Sequence, residues 1–214
     1  MSEATAGAAR LAAATDAPPL VLASASRSRA ALLKNAGLAF AQDAARVDES
    51  AVKAALLAEG ASPARAAETL SELKAQRVSP RHAGALVVGA DQMLECEGRW
   101  FDKAAERGEA AANLRALSGK THRLVSAVCL VRDGARLWHH VAEARLTVRP
   151  LSDDFIAAYL DAIGDAALDS VGAYQIEGLG AQLFSRIEGD PFTIMGLPLL
   201  PLLDFLRNHR VVPT

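Results

Sequence analysis

The sequence predicts an α/β fold in which a mixed, elongated sheet is flanked by helices, in two lobes that share a cleft. Three observations predict it. Apolar runs of strand character at 20–24, 85–91 and 121–148 are neither evenly alternated with helical patterns nor segregated from them. The last run folds back at Asp133-Gly134, a hairpin signal that makes part of the sheet antiparallel. The 214 residues are 51% hydrophobic, enough for a substantial core. A single domain is expected over 19–210, after an Ala-rich extension at 1–18 that lacks the cationic start and continuous apolar stretch of a secretory leader.

The elements follow in order. "LVLAS" (20–24) reads as a strand, with Ser26 or Ser28 able to cap a helix that runs through Asn35 and stops at Gly37. After an irregular "QDAARVDES", one helix is expected from about Ser50 to Glu59 and a second from Ser62-Pro63, a good N-cap and first-turn pair, to Val78. "ALVVGAD" is a continuous apolar run of a strand buried on both faces, expected to end at Asp91, with a hairpin turning near Glu97-Gly98. A helix over 104–117 is closed by Gly119, the long hairpin follows, and then a helix over 152–163. An irregular Gly-rich stretch at 171–189 and an apolar helix over 197–208 complete the chain.

Charge narrows the partners. A formal net charge of -2 lacks the basic excess of a protein that grips a nucleic-acid polymer through many phosphates, so a small phosphorylated ligand fits better. Cys96 and Cys129 form no CxxC pair and no Cys/His set has zinc spacing, which favours a cytoplasmic chain without structural zinc. No apolar stretch is long enough to span a membrane.

The strand-to-helix turn "SASRSR" offers free helix N–H groups beside Ser24, Ser26 and Arg29, a cradle for an anion or simply a solvated helix start. Asp91, closing a buried run, stands where a general base or a metal ligand would, or where a turn residue would. Lys74 and Lys103 lie before and after that strand and could reach the same cleft as phosphate ligands or be solvated. Asp48-Glu49 offers carboxylates for magnesium, which in phosphate sites uses one or two of them, or a solvated pair. His139 and His140 are neighbours on a strand, point to opposite faces and cannot chelate one ion; no catalytic role falls to His82, His122 or His209. Glu177 is the one carboxylate within "IEGLG".

Several motifs in sequence order make the chain resemble the Maf family of nucleoside triphosphate pyrophosphatases from about Leu20 to Arg207. "LASASRSRAALL" is similar to that family's opening Ser-x-Ser-Pro-Arg-Arg loop, "RVDES" to its Val-Asp-Glu, and "ELKA" to its helical Lys-Ala. "VVGAD" then "FDKA", "LRALSGKTHRLVSAV", and "GAYQIEGLG" with "IEGDPFTIMGLPL" match its later segments. The resemblance implies a two-lobed fold around a nucleotide-binding cleft and hydrolysis of a nucleoside triphosphate to the monophosphate and pyrophosphate, with Mg2+, Mn2+ or Co2+. It implies that Asp91 activates water, that Ser24, Ser26, Arg29, Lys74 and Lys103 hold the triphosphate and offset its charge, and that Glu49 with Asp91 binds the metal.

Arg27 stands where the family has Pro, and Ser28 where it commonly has an Arg. Gln92 and Glu177 resemble the branch that hydrolyses 7-methyl-GTP, whereas the dTTP- and UTP-hydrolysing branch typically has Thr and Gln there. A carboxylate suits the N1–H and exocyclic amine of guanine and the positive charge of a 7-methylated ring. The resemblance carries two further expectations: a homodimer, since the family commonly forms one, and, as the alternative to essential catalysis, nucleotide-binding regulation of cell division.

Overall fold

The computed structural model describes residues 16–213, so the proposed extension lies, up to residue 15, outside the described residues. Strand β1 (Leu20–Leu22) leads into helix α1 (Arg27–Asn35), capped by Ser26, whose hydroxyl accepts from the Arg29 amide. A two-residue strand, β2 (Ala41–Gln42), precedes α2 (Glu49–Ala58), capped by Asp48, and α3 (Pro63–Val78), capped by Ser62. Strands β3 (Leu86–Cys96) and β4 (Arg99–Phe101) turn through Glu97 and Gly98, both with positive φ. Helix α4 (Arg107–Leu117) is followed by the long hairpin of β5 (Thr121–Arg132) and β6 (Ala135–Val148), then by α5 (Asp153–Ile163). Short 3-10 turns lead to β7 (Phe184–Glu188), α6 (Pro191–Ile194) and α7 (Leu199–Asn208).

The seven strands form one mixed sheet in the order β2-β1-β3-β5-β6-β7, with β4 also on β3. β1 runs parallel to β2 and β3; the remaining pairs are antiparallel. Alternation along β3 sorts its side chains by face. Leu86, Val88 and Ala90 pack with α1 and α7 residues such as Leu33 and Leu202, and Leu94 and Cys96 join the cluster of α4 and α5. Val87 and Met93 face α3, against Ala75 and Leu70.

One expectation is corrected here. Asp91 does not end its strand: β3 continues five residues beyond it, because β5 pairs with it from Val87 to Glu95. The opposite edge of β3 is interrupted instead. On this edge β1 pairs with Leu86–Val88 and β4 with Leu94–Cys96, so among the described residues no strand lies beside 89–93. Asp91 sits in the middle of that gap, and a sheet interrupted at one edge provides a cleft without any loss of core elsewhere. Two other differences are smaller. The stretch 171–189 contains β7, and α4 starts at Arg107 rather than 104.

Candidate active site

The gap at the β3 edge opens into a cleft of about 720 Å3 lined by the 23–29 turn, by Glu49 and Lys53 of α2, by Lys74 of α3 and by Asp91, Gln92 and Lys103. On its far side stand Asp169, Ser170, Gln175 and Gly196. Close packing of α3 on β3 sets its depth: a Cβ at Gly89 would lie 2.0 Å from the Ser71 carbonyl oxygen and 2.8 Å from the Ala75 amide nitrogen. Only glycine admits that approach, and the approach puts Lys74, three residues after Ser71, directly over Asp91.

The Lys74 ammonium lies 2.6 Å from Asp91 Oδ1 and 2.9 Å from Glu49 Oε1, bridging the two carboxylates expected to bind metal. Lys74 and Asp91 are 6% and 4% exposed. The second oxygen, Asp91 Oδ2, is buried without a hydrogen-bond partner. Burial alone would raise the Glu49 carboxyl, but Lys74, with Lys53 and Arg29 behind it, outweighs that and holds it below its ordinary value.

The Ser/Arg turn is tied to itself and to the far side of the cleft by side-chain hydrogen bonds. Ser24 Oγ accepts from the Ser26 amide and from Arg29 Nη1, each at 3.2 Å, and Arg29 Nε donates to the Gly196 carbonyl oxygen at 2.8 Å. Burial lowers the Arg29 pKa, with Asp91 and Glu49 opposing. Lys103 stands on the exposed rim, its pKa lowered by desolvation and by the nearby Arg29 charge.

Period-two alternation puts Gln92 on the opposite face of β3 from Asp91, yet both line the cleft because it wraps around the open edge. The Gln92 amide nitrogen donates to Ser126 Oγ and to the carbonyl oxygens of Thr193 and Ile194, at 3.0 to 3.1 Å. Carbonyls only accept, so this fixes the amide orientation and leaves Oε1 as the free end. A side pocket of about 40 Å3 opens there, lined by Gln92, Tyr174, Gln175 and the exposed Glu177 among others.

Ser24, Ser26, Arg29, Glu49, Lys74, Asp91, Gln92, Lys103 and Glu177 therefore line one or other of two adjoining spaces, whereas Asp48 lines neither: its carboxylate caps α2, accepting from the Ala51 amide and Ser50 Oγ. Others were not anticipated. Ser126 and Thr193 support Gln92, and a serine inside the apolar run "RLVSAVCLV" was the available signal. Lys53, four residues after Glu49 and so on the same helix face, pairs with Asp102 at 2.5 Å. Arg27 pairs with Asp169 across the mouth; Arg27, Arg29, Lys53, Lys74 and Lys103 thus face Glu49, Asp91, Asp102 and Asp169.

A buried carboxylate with one oxygen unpaired, in a cleft whose cations outnumber its carboxylates, suits a hydrolase acting on a polyanion better than a passive anion binder. The comparisons give that class its family. The chain belongs to the Maf family: the family described as Maf-like protein matches residues 19–209. A nucleoside triphosphate pyrophosphatase of Paramagnetospirillum magneticum is 60% identical over 194 residues, covering 90% of this chain and all of the relative. A 7-methyl-GTP pyrophosphatase of Rhizobium etli is 55% identical over 191 residues (89% and 96% of the two chains). A nucleoside triphosphate pyrophosphatase of Rhodospirillum rubrum is 52% identical over 195 residues (91% and 96%).

Proposed function

We infer that the chain is a nucleoside triphosphate pyrophosphatase, a hydrolase that cleaves the anhydride between the α- and β-phosphates. The observation that carries the reading is the unpaired Asp91 Oδ2 at the floor of a cleft lined by five cations. The triphosphate lies along the 23–29 turn, where Ser24, Ser26 and Arg29 donate to its oxygens, with Lys103 on the rim. Lys74 holds Asp91 Oδ1 and leaves Oδ2 to take the proton of the attacking water. Water oxygen bonds to the α-phosphorus, the bond to the bridging oxygen breaks, and its electron pair departs with pyrophosphate. Charge growing on the equatorial oxygens is met by Arg29, Lys74 and Lys103.

The residues also fit a divalent cation such as Mg2+, Mn2+ or Co2+. Glu49 and Asp91 converge on one ammonium through Oε1 and Oδ1 and leave the buried Asp91 Oδ2 unpaired, and no further His, Cys, Asp or Glu joins them among the described residues. That is the sparse carboxylate set of an ion completed by phosphate oxygens. Bound there, such an ion supplies neutralisation of phosphate charge and a more acidic water.

We assign the side pocket to the base and 7-methyl-GTP as the preferred substrate. Gln92 Oε1 and the Glu177 carboxylate are both acceptors, matching the donor edge of guanine. The name of the Rhizobium etli relative supports the same choice. The test is pyrophosphate release from 7-methyl-GTP, GTP, dTTP, UTP and CTP with each metal, with Asp91→Asn as control. A lead for 7-methyl-GTP is expected; a lead for dTTP and UTP overturns the base assignment, and an Asp91→Asn protein as active as wild type overturns the mechanism.

A further inference from the structure

We propose that His122, a buried residue outside the reaction centre, is a positioning residue for nucleobase selection, acting through Tyr174. The proposal rests on the side pocket being the base site. One wall of that pocket is a single irregular segment, from which Ser170, Val171, Tyr174, Gln175, Ile176 and Glu177 all line it. No sheet ladder holds this segment, and its backbone is strained. Gly172 and Ala173 adopt φ of 81° and 59° in succession, and Ala173 carries a Cβ that disfavours the left-handed region. A Cβ at Gly172 would lie 2.6 Å from the Tyr174 ring and 2.7 Å from Leu94.

Such a conformation persists only where the surroundings over-determine it. Three side-chain hydrogen bonds do so. Tyr159 Oη donates to the Ala173 carbonyl oxygen at 3.2 Å, Ser170 Oγ donates to that of Tyr174 at 2.5 Å, and His122 Nε2 bonds Tyr174 Oη at 2.6 Å. Ser170 belongs to the segment it braces, and Tyr159 lies on α5. Of the three, the bond from His122 is the one that comes from the sheet: this residue is fully buried on β5, opposite Leu146 of β6. Phe184 completes the corner, edge-on to Tyr174 with centroids 4.9 Å apart.

A structural filler would not need to be histidine. The imidazole and the phenol share one hydrogen bond between two polar groups, and His122 Nδ1 is buried without a partner. An apolar pair of the same shape would avoid that cost, so stability alone does not account for the polar contact. Its geometry does: a hydrogen bond fixes the direction of the Tyr174 ring in a way that packing does not, and Tyr174 is itself pocket wall. The reaction centre is remote, since Asp91 pairs with Ala127, five residues further along β5, roughly 17 Å of strand.

The experiment compares wild type with His122→Leu, His122→Gln, Tyr174→Phe and the Leu/Phe double variant. Steady-state kinetics with 7-methyl-GTP and dTTP are combined with hydrogen exchange of the 170–178 peptide. Expected are a loss of discrimination of about tenfold in His122→Leu and in Tyr174→Phe, the worth of one ordering hydrogen bond, expressed in KM with kcat within about twofold. The double variant is no worse than either single, and His122→Gln, whose amide nitrogen replaces Nε2, keeps most of the discrimination. Exchange rises in 170–178 in the first two and not in His122→Gln. Equal losses in kcat for both substrates, or unchanged discrimination in folded variants, overturn the proposal. If His122→Leu does not fold, Tyr174→Phe decides alone. If wild type itself does not discriminate, the base-site reading has failed; faster exchange confined to 170–178 then still supports the brace, and unchanged exchange overturns it.

Discussion

The two walls of the cleft are built in opposite ways. The reaction wall stands on regular elements: a strand, β3, with a helix, α3, pressed so closely on Gly89 that Lys74 is held over Asp91. The base wall, 170–177, has no ladder, takes two consecutive left-handed residues, and is braced by side chains reaching in from β5 and α5. The proposed function thus puts the chemistry common to all triphosphates on the part of the fold that tolerates least change, and base selection on a segment whose shape is set by a few contacts. Damage to the first should abolish turnover, and damage to the second should redirect it.

The largest expected effect is on the reaction wall. Asp91→Asn removes the proposed proton acceptor and should lower kcat by about 10^2- to 10^4-fold for every triphosphate, while discrimination among bases in binding, proposed for Glu177 and Gln92, should persist. Comparable loss on one substrate only would break the division between the walls. Next is Lys74→Met. It leaves Asp91 buried with neither oxygen paired and should destabilise the fold by about 3–5 kcal/mol in urea denaturation, because removing one partner strands the other charge. A loss below about 1 kcal/mol would mean that water reaches Asp91 freely and that the pair does not organise this wall.

The difference between the walls also explains what could be read in the sequence. Ser62-Pro63, Asp133-Gly134 and the capping serines announce the elements of the reaction wall through short-range rules, so α1, α3 and the long hairpin start and stop close to where those residues place them. Asp91 was recognisable as chemically special, yet its place in mid-strand was not. The apolar run stops there, and what continues β3 is pairing with distant residues of β5, from Gln92 with Ser126 to Glu95 with Arg123. β7 was missed because "FSRIE" is largely exposed and follows a Gly-rich stretch, leaving no alternation to detect. The base wall had no periodicity at all. His122 was given no catalytic role, and nothing local could have singled it out, because its bond is to Tyr174, 52 residues away.

His122 gives the base wall its own pH dependence. Burial pushes its pKa down to about 4 from an ordinary 6.5. Between those values the unfolded chain binds the proton and the folded chain does not, so stability rises with pH across this window. The contribution is fully present above about 6.5 and is lost as pH falls through about 4, at most about 3 kcal/mol for 2.5 units. Denaturation midpoints measured from pH 7 to 4 should fall in wild type and fall less in His122→Gln. Parallel curves would show that the imidazole reaches water on acidification and that the brace is looser than its geometry.

The smallest expected effect lies where the walls meet. Arg27, at the first position of α1, pairs with Asp169 of the base side, but both are exposed, and such pairs contribute about 0–1 kcal/mol. Its importance is therefore not in holding the walls together. Arg27→Pro suits the first turn of a helix and removes one cation from the mouth, whereas Asp169→Asn removes one carboxylate. If the pair acts through the field of the cleft, the two variants move KM in opposite directions, up for Arg27→Pro and down for Asp169→Asn. Each shift should be about two- to threefold at low ionic strength and vanish above about 0.5 M salt. If the pair were a mechanical tether, both variants would raise KM and salt would mimic them. That outcome would make the mouth, rather than His122 and Tyr174, the place where the base wall is anchored.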